Sequence, residues 1–271
     1  MKRLVLALIT VTLVLASVNV FAQGRGGGAA PAGGGQRGGA PQAPPTPKAL
    51  APFDITGYWV SETTEDWKWR MFPNKGDYQG IPINAQRRLA ADAWDPAKDE
   101  AAGEQCKGYG APIIMRNPGR FHFTWVDDQT VKIEADGGTQ NRTIYFVNPQ
   151  GAGGDWQGVS KAEWDQGPAA NAGFGGGRGR GNGPVPASLK ITTTKMKPGY
   201  IRRNGVPYSA NAVLTEWYDL VKEANGDTYL VLTEEVNDPM YLTDVYTTAI
   251  HFKKQADATG FKTTPCTSKQ F

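Results

Sequence analysis

Polar and apolar side chains alternate along many short runs of this chain. The clearest run, residues 120–126, places aromatic side chains on one face and mostly polar ones on the other. After an Asp-Asp turn and an Asp-Gly-Gly turn, residues 130–135 and 141–147 repeat the alternation. A period of two is typical of strands that bury one face, so these runs predict a three-strand antiparallel meander.

Further runs raise the predicted strand count. Residues 211–223 and 227–236 flank Asn225-Gly226, a dipeptide that tolerates positive φ angles and favours tight hairpin turns. The remaining predicted strands are residues 55–61, 67–72, 188–197 and 246–254. Together with the meander and the hairpin, these segments predict about nine strands.

A helical pattern interrupts the strands between residues 84 and 105. Asn84 can cap a helix that runs to Trp94, and Asp95 can cap a second helical segment. Pro96 suits the first position of that second segment, where its missing N–H costs nothing. The sequence therefore predicts a broken helix or two short ones, placed to close one end of a barrel or to cover an open sheet.

This order of elements predicts an all-β fold. Antiparallel strands that close on themselves leave no exposed edge, so we expect an up-and-down barrel of about eight to ten strands with a short helical segment. A β-sandwich is the alternative. Residues 51–271 are sufficient for one domain, and the Gly-rich stretch at about 167–186 predicts a disordered loop within it.

The first 22 residues have the pattern of a secretory signal peptide. Lys2 and Arg3 precede an apolar run of about 14 residues, and Val20-Phe21-Ala22 suits cleavage before Gln23. An uncleaved anchor is the alternative. Residues 23–50 are rich in Gly, Ala, Pro and Gln, which predicts a disordered tether. We therefore expect a periplasmic or secreted protein with no membrane span after cleavage.

The cysteine content predicts a disulfide, and the net charge and location indicate which ligands and cofactors to expect. In an exported chain the two cysteines, Cys106 and Cys266, favour a disulfide with each other. The formal charge of +3 becomes −2 once the five basic residues before position 51 are removed. A nearly neutral folded part gives no electrostatic basis for binding nucleic acid. ATP and reduced nicotinamide cofactors are scarce outside the cytoplasm, so we expect no nucleotide cofactor.

Gly57-Tyr58-Trp59, at the start of the first predicted strand, resembles the Gly-x-Trp opening of lipocalins and related calycin barrels. The resemblance implies a barrel whose floor is closed by Trp59. The family's later motif, an Arg near the last strand that packs on this Trp, has no clear match. The chain is also similar to exported bacterial proteins of unknown activity that carry the same Thr-Gly-Tyr-Trp and Trp-Asp-Pro-Ala-Lys-Asp-Glu stretches.

The two histidines are the first candidates for catalysis. His122 and His251 each lie on the more polar face of a predicted strand. If those faces line the barrel interior, the imidazoles meet there and form, with Glu216 or Glu234, a metal site or an acid–base pair. If the faces point outward, both are surface residues. Glu216 has apolar neighbours on its strand face, and partial desolvation would raise its pKa as an acid or base requires.

Aromatic side chains exceed what one sheet face needs, and aromatic pockets suit apolar or sugar-ring ligands. The residues that we expect to bind a ligand are Trp59, Trp69, Arg120, Trp125 and Tyr218. Residues 197–208 form a turn-rich excursion with two Arg and two Tyr. This excursion is either a lid over the barrel mouth or an inert loop.

Three functions fit these features. The first is an exported barrel that binds a small, mostly apolar or aromatic molecule. The second is a lyase, isomerase or hydrolase that uses His122, His251 and Glu216 in the same cavity, without a cofactor or with a metal. The third is a structural module with a partner in the cell envelope. Convergence of the three side chains in a concave pocket favours the second function, and an interior filled by side chains favours the third.

Overall fold

The computed structural model describes residues 43–71, 73–166 and 187–268. All elements named below belong to the compact unit Pro44–Phe271. The predicted signal peptide, most of the predicted tether and the Gly-rich stretch at 167–186 lie outside the described residues. Among the helices that are described, none is long and apolar enough to cross a bilayer.

Eleven strands form the framework of the described fold. They are β1 Gly57–Glu62, β2 Arg120–Trp125, β3 Thr130–Ala135, β4 Gln140–Tyr145, β5 Val159–Gln166, β6 Ala187–Thr194, β7 Gly199–Arg202, β8 Val206–Tyr208, β9 Val213–Lys222, β10 Thr228–Asn237 and β11 Tyr246–Gln255. Short helices lie between β1 and β2, namely α1 Trp67–Met71, α2 Ala85–Asp92, α3 Pro96–Ala101 and α4 Ala111–Ile114, with a 3-10 turn at Gln105–Tyr109.

Nine of the strands close into a barrel in the order β1-β11-β10-β9-β6-β5-β4-β3-β2. Neighbouring strands are antiparallel except β4 and β5, where Ile144 pairs with Ser160 in parallel orientation. The predicted meander is β2 to β4, and the predicted hairpin at Asn225-Gly226 joins β9 to β10. The closed barrel confirms the predicted fold class and excludes the β-sandwich alternative.

The barrel interior is packed with apolar side chains that alternate with outward-facing residues along each strand. We call the end where β1 begins the floor. Trp59 is fully buried there, and its indole N–H donates to the carbonyl of Ile55 at 3.0 Å. The ammonium of Lys254 lies 5.2 Å from the centre of the Trp59 ring. Trp59 therefore packs in the barrel core near the floor, and its role in a lipocalin-like floor stays a prediction.

The helices and the β7/β8 hairpin cover the opposite end, which we call the lid end. A second apolar cluster forms there, and it includes Ile201, Val206 and Tyr208 of the hairpin together with Leu214 of β9. These side chains are all fully buried. The predicted excursion at residues 197–208 is therefore a hairpin that packs against the barrel, and its role as a lid stays a prediction.

One predicted strand is also wrong, because residues 67–71 form helix α1. The two tryptophans of this segment alternate with charged residues, but five residues are too few to separate period two from a single helical turn. Helix α1 buries Arg70, whose guanidinium donates to the carbonyls of Glu62 at 2.6 Å and Arg116 at 3.1 Å. Bonds to distant residues therefore help to fix this segment, and a local pattern does not contain them.

Both predicted helix starts are confirmed. The side chain of Asn84 accepts a hydrogen bond from the N–H of Arg87 at 2.9 Å, and that of Asp95 accepts one from Ala97 at 3.0 Å. Pro96 is the first residue of α3. The interval is therefore two short helices, each with its own N-cap.

The predicted cysteine pair is also confirmed, because the sulfur atoms of Cys106 and Cys266 lie 2.05 Å apart, at disulfide distance. Cys106 belongs to the 3-10 turn at the lid end, and Cys266 follows β11. The same C-terminal segment donates from the N–H of Thr264 to the carbonyl of Asp136 at 2.8 Å. The cysteine pair therefore attaches the end of the described chain to the lid.

We expect the double variant Cys106→Ser/Cys266→Ser to be less stable than the oxidised protein by about 3–5 kcal/mol, because the crosslink restricts a long loop of the unfolded chain. Urea unfolding of both proteins measures the difference. Reduced wild-type protein is the control and should match the variant. Equal stability of the oxidised protein and the variant would show that the two cysteines are not bonded.

Candidate functional site

The two histidines lie on the outer face of the barrel. Along β2 and β11 the residues on either side of each histidine belong to the apolar core, so His122 and His251 point outward. Strand β1 lies between them, and it pairs Tyr58 with His122 and Glu62 with His251. Four residues of strand, at about 3.3 Å per residue, separate these two positions. The two imidazoles are therefore too far apart to share a metal ion or a proton.

Each histidine has its own carboxylate partner. Nδ1 of His122 lies 3.1 Å from Oε2 of Glu134, and its ring stacks on Tyr58 with the ring centres 4.0 Å apart. Nδ1 of His251 lies 3.4 Å from Oε2 of Glu65. These contacts agree with the surface alternative that the strand pattern left open. A catalytic role for either histidine alone stays a prediction.

Glu216 lies inside the barrel and is fully buried. Arg142 of β4 donates two hydrogen bonds to its carboxylate, from Nη1 to Oε1 at 2.8 Å and from Nη2 to Oε2 at 2.5 Å. The hydroxyl of Tyr218 donates to Oε1 at 2.8 Å, and Nη2 of Arg142 also reaches the hydroxyl of Thr193 at 3.2 Å. Glu216 is therefore enclosed and neutralised, and it meets neither histidine.

Arg142 is the residue of this buried group that the strand pattern does not single out. The sequence marks Arg142 only by its position. It lies two residues before Ile144, a core residue, so both side chains lie on the same face of β4. A charged residue in phase with the core needs a buried partner of opposite charge. Glu216, which shares its face with apolar residues, is the matching carboxylate.

Glu234 lies directly opposite Glu216 in the register of β9 and β10. It is buried, Thr248 donates to its Oε2 at 3.4 Å, and its Oε1 has no hydrogen-bond partner among the described residues. Burial and the negative charge of Glu216 raise the pKa of Glu234 to about 8, against the opposing effects of Arg116 and Arg142. Glu234 is therefore mostly a neutral acid at neutral pH.

Three of the predicted ligand-binding residues are not open to a ligand at the floor. Trp59 and Tyr218 are fully buried in the core. Trp69 belongs to α1 at the lid end, where the guanidinium of Arg202 lies 5.6 Å from its ring centre. Contact with a ligand in the barrel would require Trp59 or Tyr218 to leave its packed position.

The other two predicted binding residues, Arg120 and Trp125, lie at opposite ends of β2. Arg120 packs against Gly260, where a Cβ atom would come within 2.8 Å of its guanidinium carbon. Trp125 is only partly buried and borders an open groove. Of the five predicted ligand-binding residues, Trp125 is therefore the one that borders a large open space in the described structure.

The open groove has a volume of about 800 Å³ and lies at the floor, between the segment that precedes β1 and strand β2. Its lining residues are Lys48, Ala51, Phe53, Asp54, Thr56, Gly57, His122, Phe123, Thr124 and Trp125. Two predicted site residues, His122 and Trp125, thus line the same groove. Residues 48–54 belong to no predicted strand or helix, so no sequence pattern indicates that this segment forms a wall of the groove.

Trp125 belongs to a row of aromatic rings that fixes this wall. Its ring stacks on Phe146 with the centres 5.5 Å apart, and Phe146 packs on Trp164 at 5.3 Å. Phe53 meets Trp164 edge-on at 5.7 Å, and the indole N–H of Trp164 donates to the carbonyl of Pro47 at 2.8 Å. The last residues of the predicted tether are therefore held against the barrel.

The groove also contains charged groups, Lys48 and Asp54. Oδ1 of Asp54 accepts hydrogen bonds from the backbone N–H and the hydroxyl of Thr56, at 2.9 and 2.6 Å. Burial acts to raise the pKa of Asp54, but these hydrogen bonds and the charge of Lys254 outweigh it and hold the pKa below its ordinary value. Asp54 is therefore ionised at neutral pH beside the aromatic wall.

Within the ranges that the structure describes, no group of three or more His, Cys, Asp or Glu side chains is arranged to hold a metal ion. No family model matches the chain, and neither a curated protein nor a solved structure matches it significantly. The nine-strand closed barrel is established, whereas membership of the lipocalin family stays a prediction. Lipocalin barrels have eight strands, so the likeness is one of architecture.

We expect the stability of the protein to fall as the pH rises from about 4.5 to about 8. The folded state holds the Glu234 proton up to a pKa of about 8, whereas the unfolded chain releases it near the ordinary value of 4.5. The stabilisation is complete below the unfolded pKa and is lost as the pH rises through the folded one. Glu234→Gln should flatten this dependence and be more stable than the wild type at pH 8 by about 2–5 kcal/mol. Urea unfolding between pH 5 and 9 measures both effects.

Glu216→Gln is the matched control, since it alters the carboxylate on the facing strand. It should destabilise the protein by about 3–5 kcal/mol, because it leaves Arg142 buried without its carboxylate partner, and it should also lower the pKa of Glu234, because it removes the negative charge that helps to raise it. A wild-type stability that stays flat between pH 5 and 8 would contradict the raised pKa of Glu234.

Proposed function

We propose that this protein is exported to the periplasm or secreted, and that it binds a small, planar, mostly apolar molecule in the groove at the barrel floor. The observation that carries the proposal is the open groove itself, which is bordered by Phe53 and Trp125. Its volume falls in the range of roughly 300–1,000 Å³ that is typical of small-molecule sites.

The packed interior supports a ligand in the groove rather than one inside the barrel. Between the floor and the Glu216 layer, the strands contribute one continuous apolar cluster. An interior ligand would have to displace a side chain such as Trp59 or Tyr218, each of which is fully buried. Overfilling a well-packed core is destabilising, so this displacement opposes binding.

The lining of the groove indicates the chemistry of the ligand. Trp125 and Phe53 offer ring surfaces for stacking or edge-on contact with a planar molecule. Lys48, Asp54 and His122 supply the few polar groups that orient a ligand in such sites. A planar ring system with one polar or charged substituent fits this combination.

The geometry gives less support to the catalytic alternative. His122 and His251 lie outside the barrel on opposite sides of β1, and Glu216 lies inside under Arg142. The second candidate function is instead a structural module of the cell envelope, because a filled interior is what that hypothesis expects. The binding experiment below separates it from the first.

Binding of the planar dye 8-anilinonaphthalene-1-sulfonate to the folded protein tests the proposal. We expect saturable fluorescence enhancement and quenching of tryptophan emission. Trp125→Ala should weaken the affinity by about five- to tenfold, since it removes one aromatic contact.

Trp67→Ala is the matched control for this experiment. Trp67 is 58% exposed on α1, away from the groove, so its removal should leave dye affinity unchanged. Equal loss of affinity in both variants, or no saturable binding at all, would contradict the groove proposal. The second outcome would favour the structural module.

The export proposal has its own test in the mass of the protein purified from the periplasm. We expect a chain that begins at Gln23, because Val20-Phe21-Ala22 is the predicted cleavage site. Intact mass and N-terminal sequencing measure this directly. A chain in the membrane fraction that retains residues 1–22 would instead support the uncleaved anchor.

A further inference from the structure

Arginine side chains line a small cavity at the lid end, opposite the groove. Arg70, Arg116, Arg202 and Arg203 border a space of about 10 Å³. Their exposed fractions are 3%, 5%, 4% and 7%. A buried guanidinium stays charged, so its burial is costly unless acceptors or opposite charges surround it. Four buried guanidinium groups around one cavity therefore require hydrogen-bond acceptors or negative charges close by.

Three of these side chains keep donors that have no partner in the described part of the chain. These are Nη2 of Arg70, Nη1 of Arg116 and Nε of Arg202. An unsatisfied donor on a buried charged group costs more than a neutral one. All three side chains line the same cavity, so an acceptor bound there lies among three side chains that each keep an unsatisfied donor.

Carboxylates balance only part of the positive charge at this cavity. Arg70 pairs with Glu65 at 3.0 Å, and Arg116 pairs with Asp66 at 3.4 Å. Arg202 donates instead to backbone carbonyls, at 3.0 and 3.3 Å. Burial lowers the pKa of Arg70, and the charge of Glu65 does not fully offset it. The cavity therefore carries an excess of positive charge.

We propose that this cavity binds a single small anion, a halide such as chloride. The unpartnered donors and the excess positive charge call for an acceptor with negative charge. The space is small, about 10 Å³, which favours a monatomic anion over the larger phosphate, sulfate and carboxylate groups. A water molecule fits less well, because it carries no negative charge to offset that of the arginines.

The anion would connect three separate lid elements. Arg70 belongs to α1, Arg116 follows α4, and Arg202 ends β7. A bound halide accepts hydrogen bonds from all three, so it stabilises the lid against the barrel. The site and the groove lie at opposite ends, and the anion proposal is therefore independent of the proposed ligand.

Thermal unfolding of the full chain tests the proposal. We expect the midpoint to rise and saturate with sodium chloride or bromide, and not with sodium gluconate at the same ionic strength, because only a ligand that fits the cavity stabilises the folded state. Crystals soaked in bromide should show an anomalous peak within the ring of the four arginines.

Arg202→Lys is the informative variant, because it keeps the positive charge and removes the Nε donor. The bromide or chloride concentration at half-saturation should rise about tenfold, the effect of losing one charged hydrogen bond. Arg88→Lys, an exposed arginine of α2, is the matched control and should leave it unchanged.

Three results would overturn the proposal. The first is a midpoint that responds equally to halide and gluconate, and the second is a halide response that is unchanged in Arg202→Lys. The third is bromide that binds only at surface sites. If Arg202→Lys does not fold, the position of bromide in wild-type crystals decides.

Discussion

The Arg142–Glu216 pair is the interaction on which the interior of this barrel depends. It joins β4 to β9 across two intervening strands, β5 and β6. Along β9, Glu216 lies between Leu214 of the lid cluster and Tyr218 of the barrel core. Removing either partner would leave a buried charge without compensation, which typically costs about 3–5 kcal/mol. The two apolar clusters are therefore organised around one charged layer.

This layer also divides the molecule into two ends with different chemistry. Toward the floor the interior is apolar and filled, so the open space lies outside, between the segment before β1 and strand β2. Toward the lid, Glu234 and the buried arginines add further ionisable side chains, and the cavity that the arginines line is small. A planar apolar molecule suits the first environment, and a compact anion suits the second.

Much of the fold could be predicted from the sequence, because local signals decide it. The meander, the caps at Asn84 and Asp95, and the Asn225-Gly226 hairpin each rest on residues close together in the chain. Strand β5 is not among the predicted strands, because residues 151–158 before it contain four glycines and give no periodic pattern. The sequence predicts a strand where helix α1 forms, because the conformation of this segment depends on bonds from Arg70 to distant carbonyls.

The candidate sites were less predictable, because they depend on which strand face points inward. Alternation places His122 and Glu216 each on one face of a strand, but it does not say which side of a closed sheet that face becomes. The groove also needs the segment around Phe53, whose position is set by Trp164 far along the chain. The anion cavity combines Arg70 and Arg202, which only the folded lid brings together.

The parallel pairing of β4 and β5 follows from the odd number of strands in the barrel. Around a closed ring, strictly antiparallel neighbours must be even in number, since the direction reverses at each step and has to return to its starting sense. A ring of nine strands cannot satisfy this condition, so at least one pair must run parallel. The parallel pairs Ile144–Ser160 and Tyr145–Lys161 join the end of β4 to the start of β5, so the chain between Tyr145 and Val159 must turn back outside the ring before β5 begins. An even-stranded relative would differ by more than a missing or added strand, because it could dispense with this return passage altogether.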